Sequence, residues 1–325
     1  MFCLRVVAVF LGSTFACCVA LAQTQPAAAP AVAQGTASAP GDSRPMETIR
    51  SRADEVNVIF TVSDKHGKFV KDLKGSEFKV LDNALPPKQI MHYEAETNLP
   101  LRVGLLIDAS NSIRERFLFE QQAATEFLQQ IIRPKTDKAF VMAFDENPEV
   151  PQDFTNDMDK LTKGIKGIRP GGGTALWDAI YVACRDHLMK EHAGETVRRA
   201  IILVSDGDDN QSRVLRQEAI EMAQRAGVIV YAISTNLNNI LDRGDNNLKL
   251  LAEATGGRAF FPFKLQNLTD AFSDIQEELR SQYSISYKPD HFDLNGQFRP
   301  ILIVPANNKL KVRAKKGYWA RLEAQ

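Results

Sequence analysis

Four short runs constrain the fold of this chain more than any other feature: LRVGLLID (101–108), KAFVMAFD (138–145), RAIILVSD (199–206) and VIVYAIS (228–234). Between their ends they carry almost no polar side chain, so neither face of such a strand suits contact with water. Strands buried on both faces belong to parallel sheets covered by helices on each side, whereas a half-solvated antiparallel strand would alternate. The stretches between the runs place apolar residues at helical spacing, which predicts helices over 114–132, 158–168, 175–190, 215–226, 247–254 and 268–282, with a further strand in RAFFPF (258–263). The expected fold class is α/β, a doubly wound, mainly parallel, Rossmann-like sheet.

The flanks read differently. Residues 1–22 combine Arg5, an apolar run from Val6 to Phe10 and Ala20-Leu21-Ala22, the pattern of a signal peptide. An exported protein, periplasmic or secreted, is expected. The apolar run is short for a bilayer span, so no stable membrane insertion is expected after cleavage. Residues 23–47 are rich in Pro, Ala and Ser with little to bury and read as a flexible spacer. Alternating strand-like segments then occupy 48–97 (VNVIFTV, EFKVLD, KQIMHYEAE) and 283–325 (YSISYKP, RPILIV, KLKVRAKKGYW). Each set is too small for a core of its own, so the two are expected to pair into one small β domain flanking residues 98–282.

Of the 4 cysteines, Cys3, Cys17 and Cys18 fall within the signal peptide and only Cys184 remains, so stability rests on a hydrophobic core rather than an internal disulfide. Cys184 shares helical spacing with Leu176, Ile180 and Leu188 and reads as a buried small hydrophobe. The 40 Lys and Arg balance 40 Asp and Glu without a long like-charge block, which argues against a nucleic-acid partner. The 5 histidines are scattered with no zinc-ligand spacing.

In doubly wound sheets, ligands bind beyond the carboxyl ends of the strands. The first such place supplies Asp108, Ser110 and Ser112, the loop RPGGGTALWD supplies Thr174, and the end of IILVSDG supplies Asp206. All five are oxygen donors, which suits a hard cation, Mg2+ with Mn2+ or Ca2+ as alternatives, over zinc. Gly171 to Gly173 let the backbone close in to deliver the Thr174 hydroxyl. Taken singly, each motif has a plainer reading. Ser110 or Ser112 could cap a helix, the glycine run lacks the Lys-Ser/Thr of a phosphate loop, and Asp206 could be a turn residue before Gly207. Their joint occurrence at strand ends of one sheet favours the metal. Asp208, Asp209 and Asn210 read as a solvated loop, and Trp177, Tyr181, Phe260, Phe261 and Phe263 as core.

On those five residues the chain closely resembles the von Willebrand factor type A family, whose metal ion-dependent adhesion site is Asp-x-Ser-x-Ser with a distant Thr and a distant Asp. The resemblance covers about 101–282, with no substitution in the motif. It implies that Ser110, Ser112 and Thr174 ligate the metal directly or nearly so, while Asp108 and Asp206 often act through water. The flanking VNVIFTVSDKHGKFV and QYSISYKPDHFDLNGQ further resemble a bacterial exported subgroup of type A proteins first noted in soil acidobacteria. The expected function is a non-enzymatic module that holds a protein partner through the ion. Three neutral hydroxyls withdraw little of the ion's charge, which leaves it attractive to a partner's Asp or Glu carboxylate. Two alternatives stand beside it. One is a metal-assisted hydrolase, for which no base is visibly placed and Ser110 stands where an aspartyl phosphatase would want a second Asp. The other is a scaffold whose β domain does the binding.

Overall fold

The structure, a computed structural model, describes residues 55–95, 99–111, 117–191, 197–236, 240–262, 264, 266–291 and 295–320. The segments read as signal peptide and spacer, together with Ser112 and Phe263, lie outside the described residues.

Strands β1 (Val56–Ser63), β2 (Phe78–Asp82) and β3 (Gln89–Ala95) come first. The α/β layer follows as β4 (Leu101–Asp108), α1 (Phe117–Ile131), β5 (Lys138–Phe144), β6 (Pro148–Thr155), α2 (Met158–Gly167), α3 (Leu176–Val182), β7 (Arg198–Ser205), α4 (Arg216–Arg225), β8 (Val228–Ser234), α5 (Arg243–Thr255), β9 (Ala259–Phe260) and α6 (Gln266–Leu279). The chain then returns through β10 (Gln282–Lys288), β11 (Phe298–Pro305), β12 (Lys311–Ala314) and β13 (Gly317–Trp319).

The central sheet has the order β6-β5-β4-β7-β8-β9, parallel throughout except for the β5–β6 pair. This is the expected doubly wound α/β class. Every residue of β4 is buried. Because side chains alternate, Val103, Leu105 and Ile107 enter the core built with α1, α2 and α6, while Leu106 enters the one built with α3, α4 and α5. Gly104 leaves room for a ring, since a Cβ there would stand 2.6 Å from Phe140 Cζ. Each fully buried Leu, Ile or Phe contributes about 1.5–3 kcal/mol, so this doubly covered sheet dominates the stability of the layer. Cys184 is fully buried and burial pushes its thiol up, in keeping with a small inert hydrophobe. Trp177 and Phe260 are also buried, and Tyr181 and Phe261 partly so.

Several boundaries differ from the sequence reading. PEVPQDFT forms the strand β6, which was not expected; it lies at the sheet edge, where prolines deprive no neighbour of a hydrogen bond. The helix expected over 175–190 is α only in α3 and continues as a π-helical turn over Ala183–Leu188. Helix α5 starts at Arg243, four residues before the expected 247, because the Asp242 side chain accepts from Asp245 N and caps it. Helix α6 stops at Leu279, not 282, since Gln282 already pairs with Thr61 across strands β10 and β1.

The flanking segments form two antiparallel sheets, ordered β12-β1-β10-β3 and β13-β11-β2, so each mixes strands from both ends of the chain. Val58, Phe60, Val80, Tyr283, Ile285 and Ile303 are among the residues that fill the core of this β unit. Within it, Asp82 is 2% exposed and accepts from Tyr287 Oη at 3.0 Å, Tyr318 Oη at 2.8 Å and Arg299 Nε at 2.9 Å.

A second buried network fastens the β unit to the α/β layer. Glu278 of α6 accepts from Tyr231 Oη at 3.0 Å and pairs with Arg313 of β12. Gln282 of β10 donates to Tyr231 Oη at 3.1 Å, and Arg198 of β7 donates to the Leu279 carbonyl. Burial raises the Glu278 carboxyl while the Arg313 charge opposes the rise.

Candidate metal centre

The chain winds from β4 through α1 to β5 in one direction and from β7 through α4 to β8 in the other. The crossovers therefore part between β4 and β7, and a crevice opens beyond the carboxyl ends of those two strands. Asp108 is the last residue of β4 and is fully buried; Ser205 ends β7 beside it. The Ser205 hydroxyl donates to Asp108 Oδ2 at 2.7 Å and accepts from Gly207 N at 3.0 Å. It thus fixes the carboxylate and the turn that carries Asp206. Ser110 is 3% exposed, and its N–H donates to Asp108 Oδ1 at 2.9 Å.

The glycine loop closes over this pair. Gly171 N donates to the Ala109 carbonyl at 2.6 Å, and Ala175 N to the Asp145 carbonyl at 2.6 Å. Thr174 is 4% exposed between them. Its N–H donates to Asn210 Oδ1 at 2.9 Å, and its carbonyl accepts from the N–H groups of Asn210 and Gln211, each at 3.0 Å. Asp209 Oδ1 accepts from Leu176 N at 3.0 Å and Ser212 Oγ from Trp177 N at 2.9 Å, which caps α3. In return Asp178 Oδ1 accepts from Arg213 N at 2.9 Å and Val214 N at 2.8 Å. The structure thus brings together the turns bearing Asp108, Ser110, Thr174 and Asp206.

This corrects the solvated-loop reading in part. Asp208 and Asn210 are exposed, yet Asn210 together with the half-buried Asp209 braces the Thr174 loop against the Asp206 turn. Ser205, Asp209, Asn210 and Ser212 carry no local signal, because the groups they serve are tens of residues away in sequence. Only the bond from Ser205 to Asp108 and the reciprocal caps around α3, once in space, expose them.

Glycine is required at two further points. Gly207 has φ +80°, and a Cβ there would stand 2.2 Å from the Gly244 carbonyl oxygen at the start of α5. A Cβ on Gly173 would stand 2.7 Å from Gln211 Cγ, whereas Gly171 faces open space. Gly207→Ala should therefore lower unfolding free energy by about 2–4 kcal/mol, combining left-handed strain with the clash. A denaturant midpoint within error of wild type would contradict this close packing of α5 on the Asp206 turn.

Burial pushes the Asp108 carboxyl up to about 6, against the pull of the Ser205 hydroxyl; the Asp206 charge adds to the rise, and hydrogen bonds from Ser110 oppose it. None of the groups that set this balance is cationic. A buried carboxylate with a second carboxylate beside it and no cation acting on it has the charge arrangement that suits a bound cation. Among the described residues no three His, Cys, Asp or Glu side chains gather as a metal group. The remaining donors of the five-residue set are hydroxyls, chemistry that fits a hard ion.

Residues 103–278 match the family model of the von Willebrand factor type A domain. Among curated proteins there is no match. Solved structures with a similar fold include proximal thread matrix protein 1 from the mussel byssus, with TM-score 0.48 and 16% identity over 61% of this chain and 49% of that one. The same mussel protein with a zinc occupied MIDAS motif gives TM-score 0.49 and 16% identity over 62% of this chain and 50% of that one. A von Willebrand factor type A protein from Catenulispora acidiphila gives TM-score 0.49 and 12% identity over 83% of this chain and 73% of that one. The chain spans about half the length of the mussel protein.

Proposed function

The chain belongs to the von Willebrand factor type A domain family, and from that premise we propose that it is an exported binding module that holds a protein partner through a divalent ion. Asp108, Ser110, Ser112, Thr174 and Asp206 hold the ion, Mg2+ with Mn2+ or Ca2+ as alternatives. The sequence resemblance of the flanking β segments to a bacterial exported subgroup supports the exported part of this reading. The reading rests above all on the buried Asp108 carboxylate, which has Asp206 as its charged neighbour and hydroxyls as its supports.

When bound, the ion supplies a Lewis-acidic position open to an outside oxygen. The chain's own residues do the rest. Ser205 and Ser110 orient Asp108, and Asn210 holds the Thr174 backbone at the rim. A hydroxyl-rich ligand set leaves the ion cationic, which selects a partner Asp or Glu carboxylate. The module is a binder and not an enzyme. Exposed Leu215 before α4 and Ile240 and Leu241 before α5, at 67%, 78% and 48%, give the same end of the layer apolar contact area for a protein surface.

The test is capture from an exported protein fraction on immobilised chain. A partner should bind in Mg2+, elute with chelator, and fail to bind Thr174→Ala. Replacing the partner's critical Asp or Glu by its amide should weaken binding by about 2–5 kcal/mol. Capture that survives both chelator and Thr174→Ala would move the binding surface to the β unit. No helix among the described residues is long and apolar enough to cross a membrane.

A further inference from the structure

Where the α/β layer meets the β unit, a cavity of about 130 Å³ opens among β1, the start of β7 and β8, the ends of α4 and α5, and the segment after β12. Among the described residues its polar lining is Asn57, Arg199, Gln224, Thr255 and Lys315, with no carboxylate. The neutral members are already engaged. Gln224 donates to the Ala254 carbonyl at 2.9 Å and accepts from Trp319 Nε1 at 3.1 Å. The Thr255 hydroxyl accepts from Val230 N at 3.0 Å, and Asn57 Oδ1 accepts from the Ser284 hydroxyl at 3.0 Å.

The two cations are a different case. Arg199 Nε donates to the Leu188 carbonyl at 2.7 Å, a neutral acceptor. Burial lowers its guanidinium below the usual range, and the nearby Arg102 charge lowers it further. Lys315 is partly exposed as a residue, yet burial alone lowers its ammonium to about 8. No hydrogen bond or ion pair among the described residues engages its charged end. Positive charge that lines a recess without a counter-charge is unfavourable and draws an anion. Two such groups lining one small cavity mark a place where an anion would offset that cost.

We propose that this cavity binds a small oxyanion of inorganic phosphate or carboxylate size, with Arg199 and Lys315 as its cationic walls. Water occupies about 30 Å³ per molecule in the liquid, so the space suits an anion of a few heavy atoms and excludes a nucleotide. The site is separate from the metal centre. Arg199 stands near the start of β7 and Asp206 just past its end, roughly 20 Å apart along the strand. An anion here would join the α/β layer to the segment that follows β12, and so tie the two parts of the molecule in a ligand-dependent way.

The experiment is thermal unfolding of the chain in chelator, which silences the metal centre, across titrations of inorganic phosphate, sulfate and acetate at ionic strength matched with chloride. Wild type should show a saturable rise in Tm with at least one of the three. Lys315→Met removes a cation that has no partner among the described residues, so it should fold and start from a higher Tm. It should need at least about tenfold more anion for the same shift, the loss expected for one charge-assisted hydrogen bond. No saturable response beyond chloride, or a response of Lys315→Met at the wild-type concentration, overturns the proposal.

Discussion

In chelator at pH 7, Asp108→Asn protein is expected to unfold later than wild type, by about 1–3 kcal/mol. Burial pushes the carboxyl up to about 6 from its ordinary 3.8, so the folded state holds this proton more tightly than the unfolded chain. For an acid shifted upward, the cost is absent below the unfolded pKa and accumulates as pH rises through the folded one. The difference between variant and wild type should accordingly fade by about pH 4. The upper figure is the pKa shift expressed as free energy. The lower allows for the amide, whose NH2 is a donor and replaces one of the two oxygens that accept from Ser205 Oγ and Ser110 N. Millimolar Mg2+ should raise the Tm of wild type and leave that of the variant unchanged. A variant less stable than wild type at pH 7 in chelator would mean that Asp108 is a satisfied structural carboxylate and not a group held ready for a cation.

The second large effect belongs to Asp82→Ala. Asp82 accepts from Tyr287, Tyr318 and Arg299, and so binds a strand of the N-terminal segment to strands β10, β11 and β13. Arg299 is itself 8% exposed, and removing its partner would leave a buried guanidinium uncompensated. The loss should be about 3–5 kcal/mol. Limited proteolysis should then cut within 298–319 while metal binding at the far end of the α/β layer persists. A shift below about 1 kcal/mol, with those strands still protected, would show that the apolar core of the β unit suffices without this network.

What the sequence made legible follows a physical division. Runs such as IILV and VIVYAI announce the doubly covered sheet because burial on both faces leaves no room for polar residues. Asp108, Ser110 and Asp206 could be read because each ends or directly follows such a run, and Thr174 because it follows a run of three glycines, here between α2 and α3. β6 was hidden because its edge position tolerates Pro148 and Pro151, residues that would disqualify a central strand. The braces Ser205, Asp209, Asn210 and Ser212 were hidden for a different reason. Their partners are contributed by other loops, and short polar residues in a turn look solvated until those loops meet. Asp82 likewise reads as an ordinary strand end, and only the return of β10, β11 and β13 surrounds it with Tyr and Arg.

The most direct measurement is a calorimetric titration of Mg2+ and Mn2+ into chain freed of metal, wild type beside Asp108→Asn and Asp206→Ala. One ion bound per wild-type chain, with no detectable heat from either variant although both remain folded, is the predicted result. Equal binding by wild type and Asp108→Asn would contradict the assignment of the crevice between β4 and β7 as the metal centre.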